Sequence, residues 1–434
     1  MRGRSVMAEI VETNQGGGGG GGSGGSSQQQ QQQPGTTHED MDWYHGLLPR
    51  ADINTILLND GDFLVRKSHR NESKDKEKDN VQLVLSAKWK GKSHHWQVAE
   101  NKDGSVTLDD KKYANVCDMI NTLRSKRLPV SANCPAILIN PILKQDWELR
   151  HDQISLGKML GEGAFGGVYK GVFSLKTRKV GVAVKVNKGN DKMSTRSMIE
   201  DVCKEARIMR QYQHPNVVSF YGVCVEREPI MLVMELANHG ALDSFLKNGK
   251  ETITLRDKLK FSHDASKGLE YLHQNGCIHR DVAARNFLVH KGVIKITDFG
   301  LSKQLSDHAH KYKLKDLHQK LPIRWLAPEV IVTATYSYKS DVFSFGILLW
   351  EIFMNGAIPY PGMTLAEVSK EVRKGYRMVP PDKMPTICRN IMTAQCWPQN
   401  PADRDNMTEI RHAIEGVLEG RQNQMARSAY VRYT

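Results

Sequence analysis

The sequence lacks the patterns that mark membrane-spanning, secreted and zinc-binding proteins. No apolar run reaches the roughly 18–20 residues that cross a bilayer. The longest run, FSFGILLWEIF at 343–353, contains Glu351 and predicts a helix buried in a protein core. The seven cysteines are scattered, odd in number and without a C-x-x-C pair, which indicates buried free thiols in a reducing compartment. With no signal-peptide pattern either, we expect a cytoplasmic protein without a transmembrane segment.

Length and net charge exclude fewer classes of protein than these missing patterns do. A chain of 434 residues is too long for one ordinary domain, so two domains with flanking segments are expected. The net charge of +13 is compatible with nucleic acid, anionic membrane or phosphorylated ligands and does not choose among them. No long arginine-rich tract occurs, and we expect no nucleic-acid partner. The densest charged run, at 69–79, mixes both signs and predicts a solvated loop.

Composition and periodicity divide the chain into segments. A glycine/serine tract followed by glutamines cannot bury enough apolar surface to offset its ordering entropy. Further along, two amphipathic helices flank three strand-like runs, which predicts a central antiparallel sheet between helices. The predicted segments are a disordered tail (1–42), a domain with helices at 51–60 and 116–125 and strands at 62–68, 81–89 and 95–99 (43–136), a linker (137–153), a larger domain that is first strand-rich and then helical (154–419), and a polar C-terminal tail (420–434).

A glycine-rich motif, GEGAFGGVYKG, opens the larger domain at 161–171. Its G-x-G-x-x-G spacing allows a backbone to fold tightly over phosphates without a Cβ in the way. By itself the motif also fits a dinucleotide-binding domain or an ordinary hairpin. Here two strand-like stretches follow, whereas the dinucleotide motif runs into a helix. The motif glycines are Gly161, Gly163 and Gly166.

An acidic partner is expected for Lys185, which ends the apolar strand VAVK. A lysine placed after such a run indicates a charge in a partly buried cleft. Glu205 lies in DVCKEARIMRQ, a segment with helical periodicity at 201–211, and is the candidate counter-charge.

Two acidic loops complete the set. HRDVAARN at 279–286 contains Asp281 and Asn286, and ITDFG at 296–300 contains Asp298. Phosphoryl transfer needs a positioned hydroxyl, a cation bridging phosphates and positive charge over the developing negative charge. Singly, each residue could be a helix cap or a turn aspartate. In this order behind a glycine loop and a lysine, a chance match is negligible.

Residues 154–419 therefore resemble a eukaryotic protein kinase domain, with its two-lobed fold. The resemblance implies ATP and Mg²⁺ as cofactors, a Lys185–Glu205 pair at the α/β-phosphates, Asp281 at the substrate hydroxyl, and Mg²⁺ on Asn286 and Asp298. It further implies that adenine packs between apolar side chains, beside a gatekeeper and two hinge residues. These positions are Leu160, Val168, Ala183 and Leu288, the gatekeeper Met234, and the hinge residues Glu235 and Ala237. Glu329 of the APE motif would pair with Arg404, which Asp405 follows where the family usually has proline.

The catalytic loop resembles the tyrosine-specific form. Serine/threonine kinases usually carry lysine two residues after the catalytic aspartate, where this chain has Ala283, and Arg285 follows instead. Pro322 and Trp325 in KLPIRWLAPE (320–329) resemble the tyrosine-kinase substrate platform. Tyrosine specificity is expected, with dual specificity as the alternative.

The N-terminal domain resembles an SH2 domain in WYHGLLPR (43–50) and DFLVRKS (62–68). Arg66 stands inside an apolar strand, and a buried arginine needs an anion, which a phosphate bound bidentately supplies. The resemblance adds three residues to this phosphotyrosine pocket: Arg50, Ser68 and His95.

From 43 to 419 the order of domains and the linker PILKQDWELRHDQISLGKMLGEG resemble the Fes/Fer family of non-receptor tyrosine kinases. The implied fold is α+β and multidomain. The implied partners are tyrosine-containing protein substrates and phosphotyrosine proteins, with recruitment to the cytoplasmic face of the plasma membrane. Trp147 is the candidate wedge between the domains. Between DFG and APE stands a single tyrosine, Tyr312, which we expect to be autophosphorylated and to pair with Arg280.

Two other functions compete with an active kinase. A phosphotyrosine-binding pseudokinase scaffold usually lacks one of the four chemical residues Lys185, Asp281, Asn286 and Asp298, and all four are present. A nucleotide-binding oxidoreductase is opposed by the strand context of the glycine motif.

Overall fold

The computed structural model describes the chain from residue 37 to residue 430 with short gaps. The described ranges are 37–69, 81–163, 166–187, 195–249, 251–306, 309–314 and 321–430. The predicted tail up to residue 36 and most of the charged loop at 69–79 lie outside them. The chain divides into two compact units. The first comprises the residues up to Arg207 together with Tyr221–Met234, and the second comprises Ile208–Phe220 and the residues from Glu235 onward.

The first unit begins with a six-stranded sheet in the order β5-β4-β3-β2-β1-β6. Its elements are α1 (Arg50–Ile56), β1 (Asp62–His69), β2 (Val81–Trp89), β3 (Lys92–Glu100), β4 (Val106–Leu108), β5 (Lys111–Tyr113), α2 (Val116–Ser125) and β6 (Asn140–Pro141). Strands β1, β2 and β3 pair antiparallel, with Phe63 opposite Ala87. The predicted antiparallel sheet with two helices is therefore confirmed, and β6 adds a short parallel edge strand.

Side-chain alternation along β1 separates a core face from a second buried face. Phe63 and Val65 belong to the hydrophobic cluster that also contains Met119 and Ile120 of α2. Because successive strand side chains point to opposite faces, Arg66 lies on the other side of the sheet. All five residues from Asp62 to Arg66 are buried, so this arginine is withdrawn from solvent as well.

A second sheet in the first unit has the order β10-β11-β9-β8-β7. Its strands are β7 (Ile154–Gly163), β8 (Gly166–Ser174), β9 (Lys179–Val186), β10 (Phe220–Cys224) and β11 (Met231–Glu235), and α3 (Thr195–Met209) lies between β9 and β10 in sequence. Phe173, Val182 and Val184 contribute to its core. Strands β7 and β8 form an antiparallel hairpin, as the strand-like context of the glycine motif predicts.

The second unit is mainly helical, with short strand pairs. Its elements are α4 (Leu242–Asn248), α5 (Leu255–Gln274), β12 (Cys277–Ile278), β13 (Phe287–His290), β14 (Val293–Ile296), β15 (Lys303–Gln304), β16 (Tyr312–Lys313), α6 (Pro328–Thr333), β17 (Thr335–Tyr336), α7 (Tyr338–Phe353), α8 (Leu365–Arg373), α9 (Thr386–Asn390) and α10 (Met407–Tyr430). Every residue of α7 from Ser340 to Phe353 is buried, as expected for a central helix that is apolar all round. Helix α10 continues beyond residue 419, where the sequence predicted a tail.

Two further sequence expectations concern cysteine and membrane. All seven cysteines are free thiols, and six of them are buried. Within the described ranges, no helix combines the length and the apolar character needed to cross a bilayer.

Candidate functional site

The glycine hairpin and Lys185 lie on adjacent strands of the first unit. Gly161 stands opposite Val168, and Val168 stands opposite Lys185, so the hairpin and the lysine share one stretch of sheet. A Cβ built on Gly161 meets no described atom within 4 Å, which leaves room beside its backbone. The Nζ of Lys185 donates to both carboxylate oxygens of Glu205, at 2.7 and 3.0 Å. This pair is largely buried, so each charge depends on the other.

The apolar residues expected around adenine differ in exposure. Ala183 and Met234 are buried, and Val168 is half-buried. Leu160, which immediately precedes the first motif glycine, is 52% exposed. A large apolar side chain held open beside the glycine hairpin fits contact with a planar ligand.

In the second unit, Asp341 fixes the backbone of the HRD loop. Its carboxylate accepts hydrogen bonds from the backbone N–H of His279 at 2.7 Å and of Arg280 at 2.9 Å. Arg280 has φ 71°, a left-handed conformation that costs a non-glycine residue energy. The sequence reasoning missed Asp341, although a carboxylate at the start of an otherwise apolar buried helix is a signal that could have indicated it.

Contacts among its own residues hold the catalytic loop together. Asn286 donates through Nδ2 to the carbonyl of Asp281 at 2.8 Å, which leaves its amide oxygen as the atom able to face a cation. The carbonyl of Asn286 accepts from the N–H of Thr297 at 2.9 Å, so the DFG segment is joined to the loop. Arg285 forms a close ion pair with the Asp281 carboxylate. Its guanidinium also lies 4.2 Å from the ring centroid of Trp325.

A buried carboxylate connects the loop to the predicted substrate platform. Glu351 of α7 accepts from the backbone N–H of Ala284 at 2.9 Å and from Trp325 Nε1 at 3.0 Å. Burial raises the pKa of Glu351 to about 7, against the opposing effect of these hydrogen bonds. Sequence reasoning assigned this glutamate only to a buried helix and gave it no role.

The DFG segment holds a carboxylate at the surface above a buried ring. Phe299 is fully buried, with its ring 5.5 Å from His279 and 5.9 Å from Tyr212. Asp298 is exposed, has φ 60° and accepts from the N–H of Gly300 at 3.3 Å. No group of three or more metal-ligating side chains occurs in the part of the chain that the structure describes. Two oxygen ligands completed by phosphates are nevertheless the usual arrangement for Mg²⁺.

The hinge and adenine residues of the second unit include a side chain whose contacts were not predicted. Glu235 accepts from Lys295 Nζ at 3.0 Å and from the N–H of Ser219 at 3.1 Å. Burial raises the pKa of Glu235, but these hydrogen bonds outweigh burial and lower it overall. Ala237 and Leu288 are half-buried.

Tyr312 lies beside Arg280. Strand β16 pairs with β17 so that Tyr312 stands opposite Tyr336, and the Arg280 guanidinium lies 5.1 and 4.3 Å from their ring centroids. Lys303 Nζ is 5.4 Å from the Tyr312 ring. Arg280 Nη1 donates to the carbonyl of Leu301 at 2.8 Å, whereas its buried Nε has no hydrogen-bond partner among the described residues.

The APE glutamate is paired and the unusual aspartate is accommodated. Arg404 donates to both carboxylate oxygens of Glu329 at 2.8 Å. The backbone N–H of Asp405 donates to the carbonyl of Gln395 at 3.0 Å, a bond that proline could not make.

Arg66 is the buried cation of the N-terminal domain. It is 2% exposed, and its Nη1 donates to the Leu48 carbonyl at 3.4 Å. Its Nε has no partner within the described ranges. Burial, followed by the nearby Arg50, lowers the pKa of Arg66 to about 10, so the side chain stays charged at neutral pH.

The structure gathers three of the four predicted pocket residues around one small cavity. Arg50, Arg66 and Ser68 line it, and the cavity has a volume of about 40 Å³. His95 is not among the lining residues. Its Nδ1 is 2.9 Å from Ser86 Oγ, and burial together with Arg66 lowers the His95 pKa to about 4.

Polar contacts within the first unit join the N-terminal domain and linker to the second sheet. Arg207 of α3 donates to Asp52 of α1 at 2.7 and 3.0 Å. His45 contacts Glu148 at 2.9 Å with Nδ1 and the Ile142 carbonyl at 2.9 Å with Nε2, and Lys144 pairs with Glu226 at 3.0 Å. The carbonyl of Trp147, the predicted wedge, accepts from Val223 N–H at 2.8 Å. Its side chain is half-buried, whereas those of its neighbours Glu148 and Leu149 are buried.

Comparison with known proteins decides the family. Residues 154–414 match the model for protein tyrosine and serine/threonine kinases, and residues 43–123 match the SH2 domain. The chain belongs to the protein kinase family. Because a "Fer-related kinase 1" from Caenorhabditis elegans is 36% identical over 88% of this chain and 95% of its own length, the chain stands among the Fer/Fps kinases.

Two other Fer/Fps kinases show similar identity. The "Tyrosine-protein kinase transforming protein Fps" of avian sarcoma virus (strain PRCII) is 36% identical over 86% of the chain and 67% of its own length. "Tyrosine-protein kinase Fer" of Homo sapiens is 38% identical over 86% of the chain. The chain spans 44% of the length of human Fer. The predicted α+β architecture of SH2 and kinase domains is confirmed, and a kinase domain implies ATP and a divalent cation.

Proposed function

We propose that the chain is a non-receptor tyrosine kinase, which transfers the γ-phosphate of ATP to tyrosine hydroxyls of protein substrates. The observation that carries the proposal is the position of Arg285, which pairs with Asp281 and lies on the ring of Trp325. A phenol is longer than an aliphatic hydroxyl, so a cation beside Asp281 would stabilise its oxygen, and the second carboxylate oxygen of Asp281 would accept the proton. A pseudokinase scaffold usually lacks at least one of four chemical residues, and all four are present here.

The chain's other residues have roles on the nucleotide. Lys185, held by Glu205, binds the α- and β-phosphates, and the hairpin glycines cover them. Asn286 and Asp298 supply oxygens for Mg²⁺, which neutralises phosphate charge when bound. Leu160, Val168, Ala183 and Leu288 contact adenine, Glu235 and Ala237 present backbone groups to it, and Met234 limits the depth of the pocket.

A test of catalysis uses Mg-ATP and poly-Glu-Tyr. We expect the Asp281→Asn variant to lose roughly 10²–10⁴ in rate because it removes the base and its charge. The matched control is Asp382→Asn, which makes the same change at an exposed position of the second unit. Equal rates for wild type and Asp281→Asn, or no incorporation of phosphate by a folded, ATP-binding wild type, would overturn the proposal.

The SH2 domain (43–136), joined by the linker (137–153) to the kinase domain (154–419), binds phosphotyrosine proteins and brings the kinase to them. Arg50, Arg66 and Ser68 hold the phosphate, and His95, which is neutral, contacts the phosphotyrosine residue. Such binding recruits a cytoplasmic enzyme to the cytoplasmic face of the plasma membrane.

Autophosphorylation of Tyr312 is the second part of the proposal. A phosphate on this ring would stand next to Arg280, whose Nε lacks a partner in the described part of the chain, and next to Lys303. New charge-assisted hydrogen bonds would then order the segment between DFG and APE.

A further inference from the structure

The small cavity at Arg66 is not built by the SH2 domain alone. Its remaining lining includes Arg196, Ile199 and Glu200, which belong to α3 of the kinase domain. Ile199 is 5% exposed, so this part of α3 is anchored by packing. The contacts between Arg207 and Asp52 hold the same helix against α1. The second domain's helix therefore contributes a fixed wall to the cavity.

The size of the cavity fits a phosphate group. The cavity volume of about 40 Å³ is the space open to the centre of a water-sized sphere. One water molecule needs roughly 10–15 Å³ of this space, so the cavity holds about three atoms of the size of a water oxygen. Three is also the number of terminal oxygens on a phosphate monoester.

The charge of the cavity fits the same ligand. Lys67 is paired with Glu39 at 2.6 Å, which leaves three arginines and Glu200 to set the charge at about +2. A phosphomonoester carries about −1.5 to −2 at neutral pH. Arg66, almost wholly buried with an unpartnered Nε within the described ranges, needs that anion most.

Arg196 forms a weak ion pair within its own helix. Its Nε donates to Glu200 at 3.0 Å across one helical turn, with both side chains about half exposed. Pairs of this kind contribute little to stability in water. A phosphate held by Arg66 would outcompete Glu200, because a dianion beside two further arginines attracts a guanidinium more strongly than one exposed carboxylate does.

We propose that the phosphotyrosine phosphate is bound jointly by Arg50 and Arg66 of the SH2 domain and by Arg196 of the kinase domain. Glu200 then opposes binding and tunes its strength. The inference rests on the proposed SH2 function. It adds that the affinity of this SH2 domain for its ligand is set partly by a residue outside the domain.

The test measures binding of a fluorescein-labelled phosphotyrosine peptide to the full chain by polarisation, without ATP. Arg196→Ala should weaken binding about tenfold, because one charge-assisted hydrogen bond to the phosphate is lost. Arg196→Lys should recover part of the loss, since it keeps a point charge but not the planar fork. Glu200→Gln should tighten binding about two- to fivefold, because it removes a repulsive carboxylate.

Two controls separate the outcomes. Arg178→Ala removes the same charge from an exposed position of the first unit outside the cavity, and should change affinity less than twofold. Arg66→Ala reports on the SH2 function itself. If Arg66→Ala binds normally, the proposed SH2 function fails. If Arg66→Ala abolishes binding while Arg196→Ala matches Arg178→Ala, only the shared pocket is wrong.

Competition by phenyl phosphate decides what Arg196 contacts. If it binds the phosphate, Arg196→Ala must weaken phenyl phosphate as much as it weakens the peptide. Weakening of the peptide alone would place Arg196 on flanking peptide residues and overturn the proposal.

Discussion

Two arginines, one in each unit, are buried with an Nε that lacks a partner among the described residues. Among the described residues, Arg66 has one long hydrogen bond, to the Leu48 carbonyl, and Arg50 and Arg196 line the same cavity. Arg280 is already covered by two aromatic rings and bonded to the Leu301 carbonyl. An unpaired buried cation is costly, so each invites an anion. Under the proposed function the two differ in the source of that anion: Arg66 receives it from a phosphotyrosine protein, whereas Arg280 receives it from a phosphorylated Tyr312 of the same chain.

The largest effect is expected from removing Arg66, the arginine with fewer contacts among the described residues. Arg66→Ala should weaken phosphotyrosine-peptide binding by about 100-fold or more, because the central charge of the pocket is lost. Kinase activity toward poly-Glu-Tyr without added phosphopeptide should remain within about twofold, since the cavity that Arg66 lines includes none of the residues proposed for catalysis. A loss of peptide binding below threefold would contradict the role given to Arg66.

The second effect concerns the arginine whose anion is supplied by its own chain. After preincubation with ATP, Tyr312→Phe should lower activity about tenfold, a typical coupling between a switch and a site. The control is Tyr376→Phe, at a tyrosine of the same unit that is 42% exposed. Unchanged activity of Tyr312→Phe, with no phosphate missing from the activation segment, would remove Tyr312 from regulation.

A change of pH should affect the stability of the two units in opposite directions. His95 has its pKa lowered from 6.5 to about 4, so its contribution to folding is present above pH 6.5 and is lost as the pH falls toward 4. Glu351 has its pKa raised from 4.5 to about 7, so its contribution is present below pH 4.5 and is lost as the pH rises through 7.

Unfolding midpoints of the full chain between pH 4 and 8 measure this difference. His95→Gln should flatten the acid side and Glu351→Gln the neutral-to-alkaline side, each by about 2–4 °C. The assignment is wrong if either variant flattens the opposite side.

The smallest expected effect concerns the backbone N–H of Asp405. Unlike the Nε of the two arginines, this donor already has an acceptor, the Gln395 carbonyl. Asp405→Pro restores the residue usual in the family but deletes the N–H that bonds to Gln395. We expect the free energy of unfolding to fall by about 0.5–1.5 kcal/mol. Asp405→Asn keeps the N–H and should be close to wild type by urea denaturation; a loss equal to that of proline would show that the side chain matters instead.

Local motifs made much of this molecule predictable. The glycine hairpin, the strand of Lys185 and the helix of Glu205 each follow from residues within a few positions, and the Fer/Fps resemblance orders them. The joint between the SH2 domain and the second sheet was not predictable. Asp52 and Arg207, or His45 and Glu148, look like surface charges until packing brings together positions more than 100 residues apart.

Two further unpredicted residues, Asp341 and Glu351, accept hydrogen bonds from the backbone of the loop that carries Asp281. Asp341 and Glu351 are acidic residues on one apolar helix, and sequence periodicity alone gives a buried carboxylate no partner. Only the fold shows that their hydrogen-bond partners are backbone N–H groups of the catalytic loop.

Asp341 also has a consequence for how this enzyme can evolve. A single carboxylate on the most buried helix holds two consecutive N–H groups and keeps Arg280 in a left-handed conformation. The shape of the loop that carries Asp281 is therefore set by the fold itself, which is the preorganisation that the proposed catalysis requires. Substitutions that shift α7 for better packing would also shift Asp281, so under the proposed function thermal stability and turnover in this unit are selected as one trait.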